Sequence, residues 1–151
     1  GPTPLRLPPD PATLASIPYW RLHPLGIDAK RAAALRSVGR AAAHLFRHDD
    51  ATPAAARRLL QSLPGIGEWT IGAALGHALG DTDAVAVGDF HLKNTIAFAL
   101  AGRPRGTDDE MLQLLAPYAG QRARVIALLA ADRWTAPKFG PRHRIMPMDR
   151  W

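Results

Sequence analysis

The stretch LQSLPGIGEWTIGAAL, residues 60–75, decides how this chain is read. Pro64, Gly65 and Gly67 break text that otherwise reads as helix on both sides. Upstream, ATPAAARRLLQSL (51–63) offers Thr52 as an N-cap and Pro53 at the first helical position. Downstream, a helix runs from Glu68 to about Leu79 and stops at Gly80. Two helices joined by a tight hairpin therefore span about residues 54–79. Gly65 and Gly67 are expected to supply positive φ and close backbone approach. Such a turn presents free amide N–H groups at the N-terminus of the second helix, where the helix dipole adds positive potential. A phosphate fits there. The residues expected to hold it are Leu63, Gly65, Ile66, Gly67 and Thr70. The carbonyls of the turn suit a monovalent cation that shares the phosphate. An ordinary helix–helix turn with a glycine cap carries the same pattern, and both readings stand at this point.

Working outward, the text stays helical. Residues 1–11, GPTPLRLPPDP, hold five prolines and read as an extended lead-in. PATLASI (11–17) is a short helical turn. IDAKRAAALRSVGRAAAHLF (27–46) is a helix with Asp28 as N-cap. Its apolar stripe is expected to be Leu35, Val38, Ala42, Leu45 and Phe46, with Arg36, Arg40 and Arg47 largely off it. DTDAVAVGD (81–89) reads as loop with a short extended run. FHLKNTIAFALAG (90–102) is a helix ended by Gly102. Thr107 and Glu110 have capping-box spacing ahead of a further helix. GQRARVIALLAAD (120–132) is the last helix. A basic, proline-broken tail occupies 134–151 and carries Arg142, His143 and Arg144. The class is all-α, with one lobe over residues 12–133.

Nineteen Lys and Arg stand against 13 Asp and Glu, a formal charge of +6 with a pI near 10.7. That balance favours a polyanionic partner without choosing among polyanions. There are no cysteines, which excludes disulfides, thiolate zinc sites and iron–sulfur clusters. The six histidines show no metal-ligand spacing, so no metal site of side chains is expected. No run of about 18 apolar residues suits a membrane span. The expected location is the cytoplasm, at the nucleoid, with a monomer as the default state.

A second signal is VGDFHLKN (87–94). Asp89 follows Gly88 just ahead of an amphipathic helix, where an aspartate also serves simply as a cap. Twenty residues separate it from Trp69, which lies two positions after the hairpin glycine. One helix and one loop fill that interval, enough to return Asp89 to the first turns of the second hairpin helix.

LPGIGEWTI followed by VGDFHLKN resembles the helix–hairpin–helix DNA glycosylases, and within them the alkylbase (3-methyladenine) DNA glycosylase II branch. PLGIDAKRAAALRSVG (24–39) is similar to the helix that precedes the hairpin in that family. The similarity covers about residues 12–130. It implies a multi-helix orthogonal bundle, the catalytic lobe of a base excision repair hydrolase, with damaged double-stranded DNA as partner and no required cofactor. Asp89 matches the family's catalytic aspartate. Trp69 stands where bifunctional relatives carry a Schiff-base lysine. An indole cannot be that nucleophile, so the resemblance implies a monofunctional enzyme without lyase chemistry. Trp69 is then either a wall of the base pocket, stacking on an electron-poor alkylated purine, or a core aromatic. Lys93 and His91 lie within reach of a phosphate near the flipped nucleotide, or on a solvated face.

The implied reaction hydrolyses the N-glycosidic bond of a base flipped from the duplex. A fixed carboxylate beside C1′ stabilises the oxocarbenium-like sugar. An N3- or N7-alkylated purine is already a cationic leaving group, so little acid catalysis is needed. The chain also departs from the family. The preceding helical lobe is not seen, which suggests a fragment of a longer protein. Gln121 stands before Arg122 where relatives often have an aromatic, and Ala73 is small where relatives can carry one. The alternative function is a non-catalytic helix–hairpin–helix DNA-binding module, or an inactive fragment. A helical interaction domain with incidental charge is a third reading.

Overall fold

The computed structural model describes residues 7–45 and 52–137, with no side-chain account of residues 43–45. Among the described residues it is all-helical. The helices are α1 (Pro11–Ser16), α2 (Tyr19–Leu22), α3 (Ala29–Leu45), α4 (Pro53–Gln61), α5 (Glu68–Ala78), α6 (Leu92–Ala101), α7 (Asp108–Leu115) and α8 (Arg122–Ala131). Short 3-10 turns cover His23–Leu25 and Ala116–Tyr118. None of the described helices is long and apolar enough to cross a membrane. The chain divides into two compact units. The first holds residues 7–45 and 58–66, the second residues 52–57 and 67–137.

Capping chemistry places most helix starts where the sequence puts them. Asp10 accepts from the Thr13 amide at 2.8 Å, with Pro11 at the first position of α1. Asp28 accepts from the Arg31 amide at 2.8 Å and opens α3. Thr52 Oγ1 accepts from the Ala55 amide at 3.2 Å. Thr107 and Glu110 form both bonds of the capping box, at 3.2 and 2.9 Å.

In the first unit, α1 packs on α3. The expected stripe on α3 is corrected by this contact. Ala42 is buried as expected, but Leu35 and Val38 are only half-buried, and Ala32, Gly39 and Ala41 are buried instead. A Cβ on Gly39 would lie 2.7 Å from the Ala15 nitrogen and 2.8 Å from the Pro11 oxygen. The two backbones meet there, so the buried face is made of small residues and the larger ones flank it. Arg36, expected off the stripe, donates from Nε to the Ala15 carbonyl at 3.3 Å. Leu45 and Phe46 fall outside what the structure describes of side chains.

The second unit has a core of Val85, Ile96, Met111 and Leu115, surrounded by Leu92, Val125, Ile126 and other apolar side chains. It draws on α6, α7, α8 and the loop after α5. That loop, residues 79–91, is the element that matters most for the site. Tail residues Arg142, His143 and Arg144 lie outside the described residues.

Candidate functional site around Trp69 and Asp89

The loop from Gly80 to Asp89 runs back over α5 because two clamps and one gap hold it there. The gap is Gly72, buried in the middle of α5. A Cβ on Gly72 would sit 2.1 Å from the Val85 carbonyl oxygen and 2.8 Å from Ala86 Cα. Only hydrogen at this position lets the Val85–Ala86 backbone cross the helix.

The first clamp is Asp83. Its Oδ1 accepts from the Gly120 amide at 2.8 Å, the Arg122 amide at 3.2 Å and Arg122 Nε at 2.7 Å, and its Oδ2 accepts from Arg122 Nη2. The Arg122 guanidinium holds the Asp83 carboxyl down to about 2. Thr82 adds a bond from Oγ1 to the Gly120 carbonyl at 2.8 Å. The second clamp is Asp108, in the first turn of α7. Its Oδ1 accepts from the Gly88 amide at 3.1 Å and its Oδ2 faces Lys93 Nζ at 3.4 Å.

Between the clamps, the Asp89 amide donates to the Ala86 carbonyl at 3.1 Å, closing a turn with Gly88 at φ +90°. That left-handed position at the third residue suits a type II turn and favours glycine. The turn carries Asp89 to α6, where its Oδ1 accepts from the His91 and Leu92 amides, both at 2.8 Å. Its Oδ2 accepts from Trp69 Nε1 at 2.9 Å. The sequence interval of twenty residues thus closes into direct contact. Partial burial pushes the Asp89 carboxyl upward. The bonds from Trp69, Leu92 and His91 outweigh it, and the net shift is below the ordinary aspartate value. Asp89 is a fixed, ionised carboxylate at neutral pH.

Trp69, the second residue of α5, is 51% exposed, so it is not a core aromatic. Its N–H is committed to Asp89 and half its ring faces solvent. Phe90, next to Asp89, is more exposed still and meets the His91 ring edge-on at 5.1 Å. An ionised carboxylate flanked by exposed aromatic side chains can stabilise a developing positive charge and offer a surface to a flat, electron-poor ring.

The residues expected at a phosphate divide between the units. Leu63, Gly65 and Ile66 belong to the first. There the Ile66 amide donates to the Leu63 carbonyl at 3.2 Å, so the turn uses that amide itself. Gly65 has φ +83°, as expected, with its Cβ position 3.3 Å from Ala34 Cβ. Gly67 departs from expectation: its φ is −107° and nothing lies within 4 Å of its Cβ position. It belongs to the second unit as the N-cap of α5 and, having no side chain, makes no side-chain capping bond. Thr70 follows, half-buried, in the first turn of α5. Lys93, expected at a phosphate, directs its ammonium to Asp108 instead.

A cleft of about 520 Å³ in the second unit does not include Trp69 or Asp89. Of its charged lining, Arg57 pairs with Glu68 at 2.9 Å and Asp83 with Arg122, while Asp81 accepts from the Asp83 amide at 2.9 Å. The Asp89 carboxylate lies outside this cleft. Sequence reasoning missed Gly72, Asp83 and Arg122 as determinants of the site. A glycine inside the strongly helical text TIGAAL was the available signal for the first. No three His, Asp or Glu among the described residues gather as metal ligands. Compared with protein-family models, with curated proteins and with solved structures, the chain has no match.

Proposed function

We propose that this chain acts as a monofunctional DNA glycosylase, hydrolysing the N-glycosidic bond of alkylated purines flipped from duplex DNA. The observation that carries the reading is the bond from Trp69 Nε1 to Asp89 Oδ2 at 2.9 Å. It joins the two residues the family resemblance singles out and leaves the carboxylate ionised beside a half-exposed ring. In this reading Asp89 stabilises the positive charge that grows on the sugar and orients the attacking water. The Trp69 ring stacks on the cationic base. A DNA phosphate approaches the N-terminus of α5, where Gly67 is the N-cap. With tryptophan in place of an amine nucleophile, no Schiff base forms and the strand stays intact.

A non-catalytic DNA-binding role has one observation in its favour: both Asp89 oxygens already support the fold, one as the α6 cap and one on Trp69. Single-turnover base release from methylated duplex DNA separates the readings. Wild type should release base without nicking the strand, and Asp89→Asn should release none while still binding. Equal release by both proteins would refute the catalytic role, and no release by either would favour the binding module.

A further inference from the structure

The charge of this protein is unevenly placed. Among the described residues, the first unit carries six Lys and Arg against two carboxylates, and the second carries seven against eight. The two carboxylates of the first unit are Asp10 and Asp28, both used as helix caps. Among the described residues the positive surplus therefore lies in the first unit.

On that basic unit, α2 exposes large apolar side chains. Trp20 is 68% exposed and Leu25, just past α2, is 73% exposed. The Arg21 guanidinium lies over the Trp20 ring, 5.5 Å from its centroid. Tyr19 is part-exposed and meets the His23 ring edge-on at 5.5 Å. An aromatic ring open to solvent with a guanidinium beside it has the elements of a nucleotide contact. The ring offers a π-face to any base, and the cation reaches the neighbouring phosphate.

We infer that the Tyr19–Leu25 surface binds unpaired nucleotides of a nucleic acid strand, with Trp20 as the stacking platform and Arg21 as the phosphate contact. The occupant is a polyanion because the described residues of this unit carry six Lys and Arg against two carboxylates. An anionic membrane is the weaker fit, because a helix of four residues has no extended amphipathic face to bury in the headgroup layer. Stacking reads no sequence, so binding should tolerate any base and fall with salt. This surface lies outside the Asp89 chemistry and stands whether or not that carboxylate is catalytic.

The test is anisotropy of a fluorescein-labelled oligothymidylate titrated with the full chain at several salt concentrations. Trp20→Ala should weaken binding about tenfold, and Trp20→Phe should retain most of it. Arg21→Ala should lower the slope of log affinity against log salt by about one. The readout is binding and not base release, which separates this outcome from the fate of the glycosylase reading. Trp20 is exposed, so its loss should leave the helical circular dichroism intact; if it does not, Trp20→Phe and Arg21→Ala decide. The proposal is overturned if wild type does not bind, or if it binds phosphatidylglycerol vesicles but not the oligonucleotide. It is equally overturned if Arg21→Ala keeps the full salt slope, or if a folded Trp20→Ala binds as wild type does.

Discussion

Gly72→Ala is the sharpest test of how this protein builds its site. The new methyl would lie 2.1 Å from the Val85 carbonyl oxygen and 2.5 Å from its carbon. Both are backbone atoms and cannot rotate away. To reach ordinary contact the 84–86 segment must retreat by about 1 Å, an overpacking cost at the upper end of the usual 1–3 kcal/mol. For a chain of this length that should lower Tm by roughly 6–12 °C. The retreat does not stay local. Asp83 is tied to Arg122 on one side and Gly88 to Asp108 on the other, so the turn that carries Asp89 takes up the movement. A displacement of about 1 Å at a reacting group costs roughly a hundredfold in rate. Gly76→Ala is the matched control. It lies one turn along the same helix, with its Cβ position in ordinary contact at 3.8 Å from Ala84 Cβ. Alanine there should be neutral or stabilise by up to about 1 kcal/mol through helix propensity. Thermal melts and single-turnover base release on the three proteins give the answer. If Gly72→Ala melts with Gly76→Ala, the crossing of Val85 over α5 is not what holds the site.

Three further outcomes follow from the same geometry. Trp69→Phe keeps a ring but removes the donor to Asp89; losing a hydrogen bond of about 1 kcal/mol should slow base release about fivefold and move the acid limb of its pH profile upward. Unchanged rate and pH profile would refute a positioning role for that N–H. Asp83, depressed to about 2 by Arg122, contributes stability that is full above the ordinary aspartate value near 3.8 and is lost as pH falls through about 2. The bound is about 2 kcal/mol, and about 1 kcal/mol after solvent screening of a pair that remains part-exposed. Asp83→Asn should lose that amount at neutral pH and show a flatter acid limb in denaturant melts from pH 2 to 6. Gly65→Ala should destabilise by about 1 kcal/mol or more, through its left-handed φ and a Cβ position 3.3 Å from Ala34 Cβ, whereas Gly67→Ala, with extended backbone and open space, should lose only the N-cap preference for glycine, about 0.5 kcal/mol. Equal melting of the two glycine variants would refute that distinction.

Much of the local structure was legible because it is encoded in neighbouring residues. Asp28, Thr52 and the Thr107–Glu110 pair open their helices through bonds three residues long, and Gly102 ends α6 in a left-handed conformation. The all-α class, the loop at 81–89 and the spacing that could return Asp89 to Trp69 follow from the same short-range chemistry. Capping, helix propensity and turn formation act over a few residues, so a short stretch of chain carries them.

Which glycines are indispensable, and what holds Asp89, depends instead on contacts between distant segments. Gly39 and Gly72 read as weak points in helices until another backbone is seen to touch them. Asp83 and Arg122 stand 39 positions apart, and nothing in the text near either one announces their pairing. Gly67 looked like a conformational necessity and is an open, extended cap. The choice between a core and an exposed Trp69 also waited on the fold, since a tryptophan at a helix start is compatible with both. These are long-range contacts set by how backbones cross and which charges then meet. No pattern of a few residues specifies them, since each depends on the position of a second segment far away along the chain.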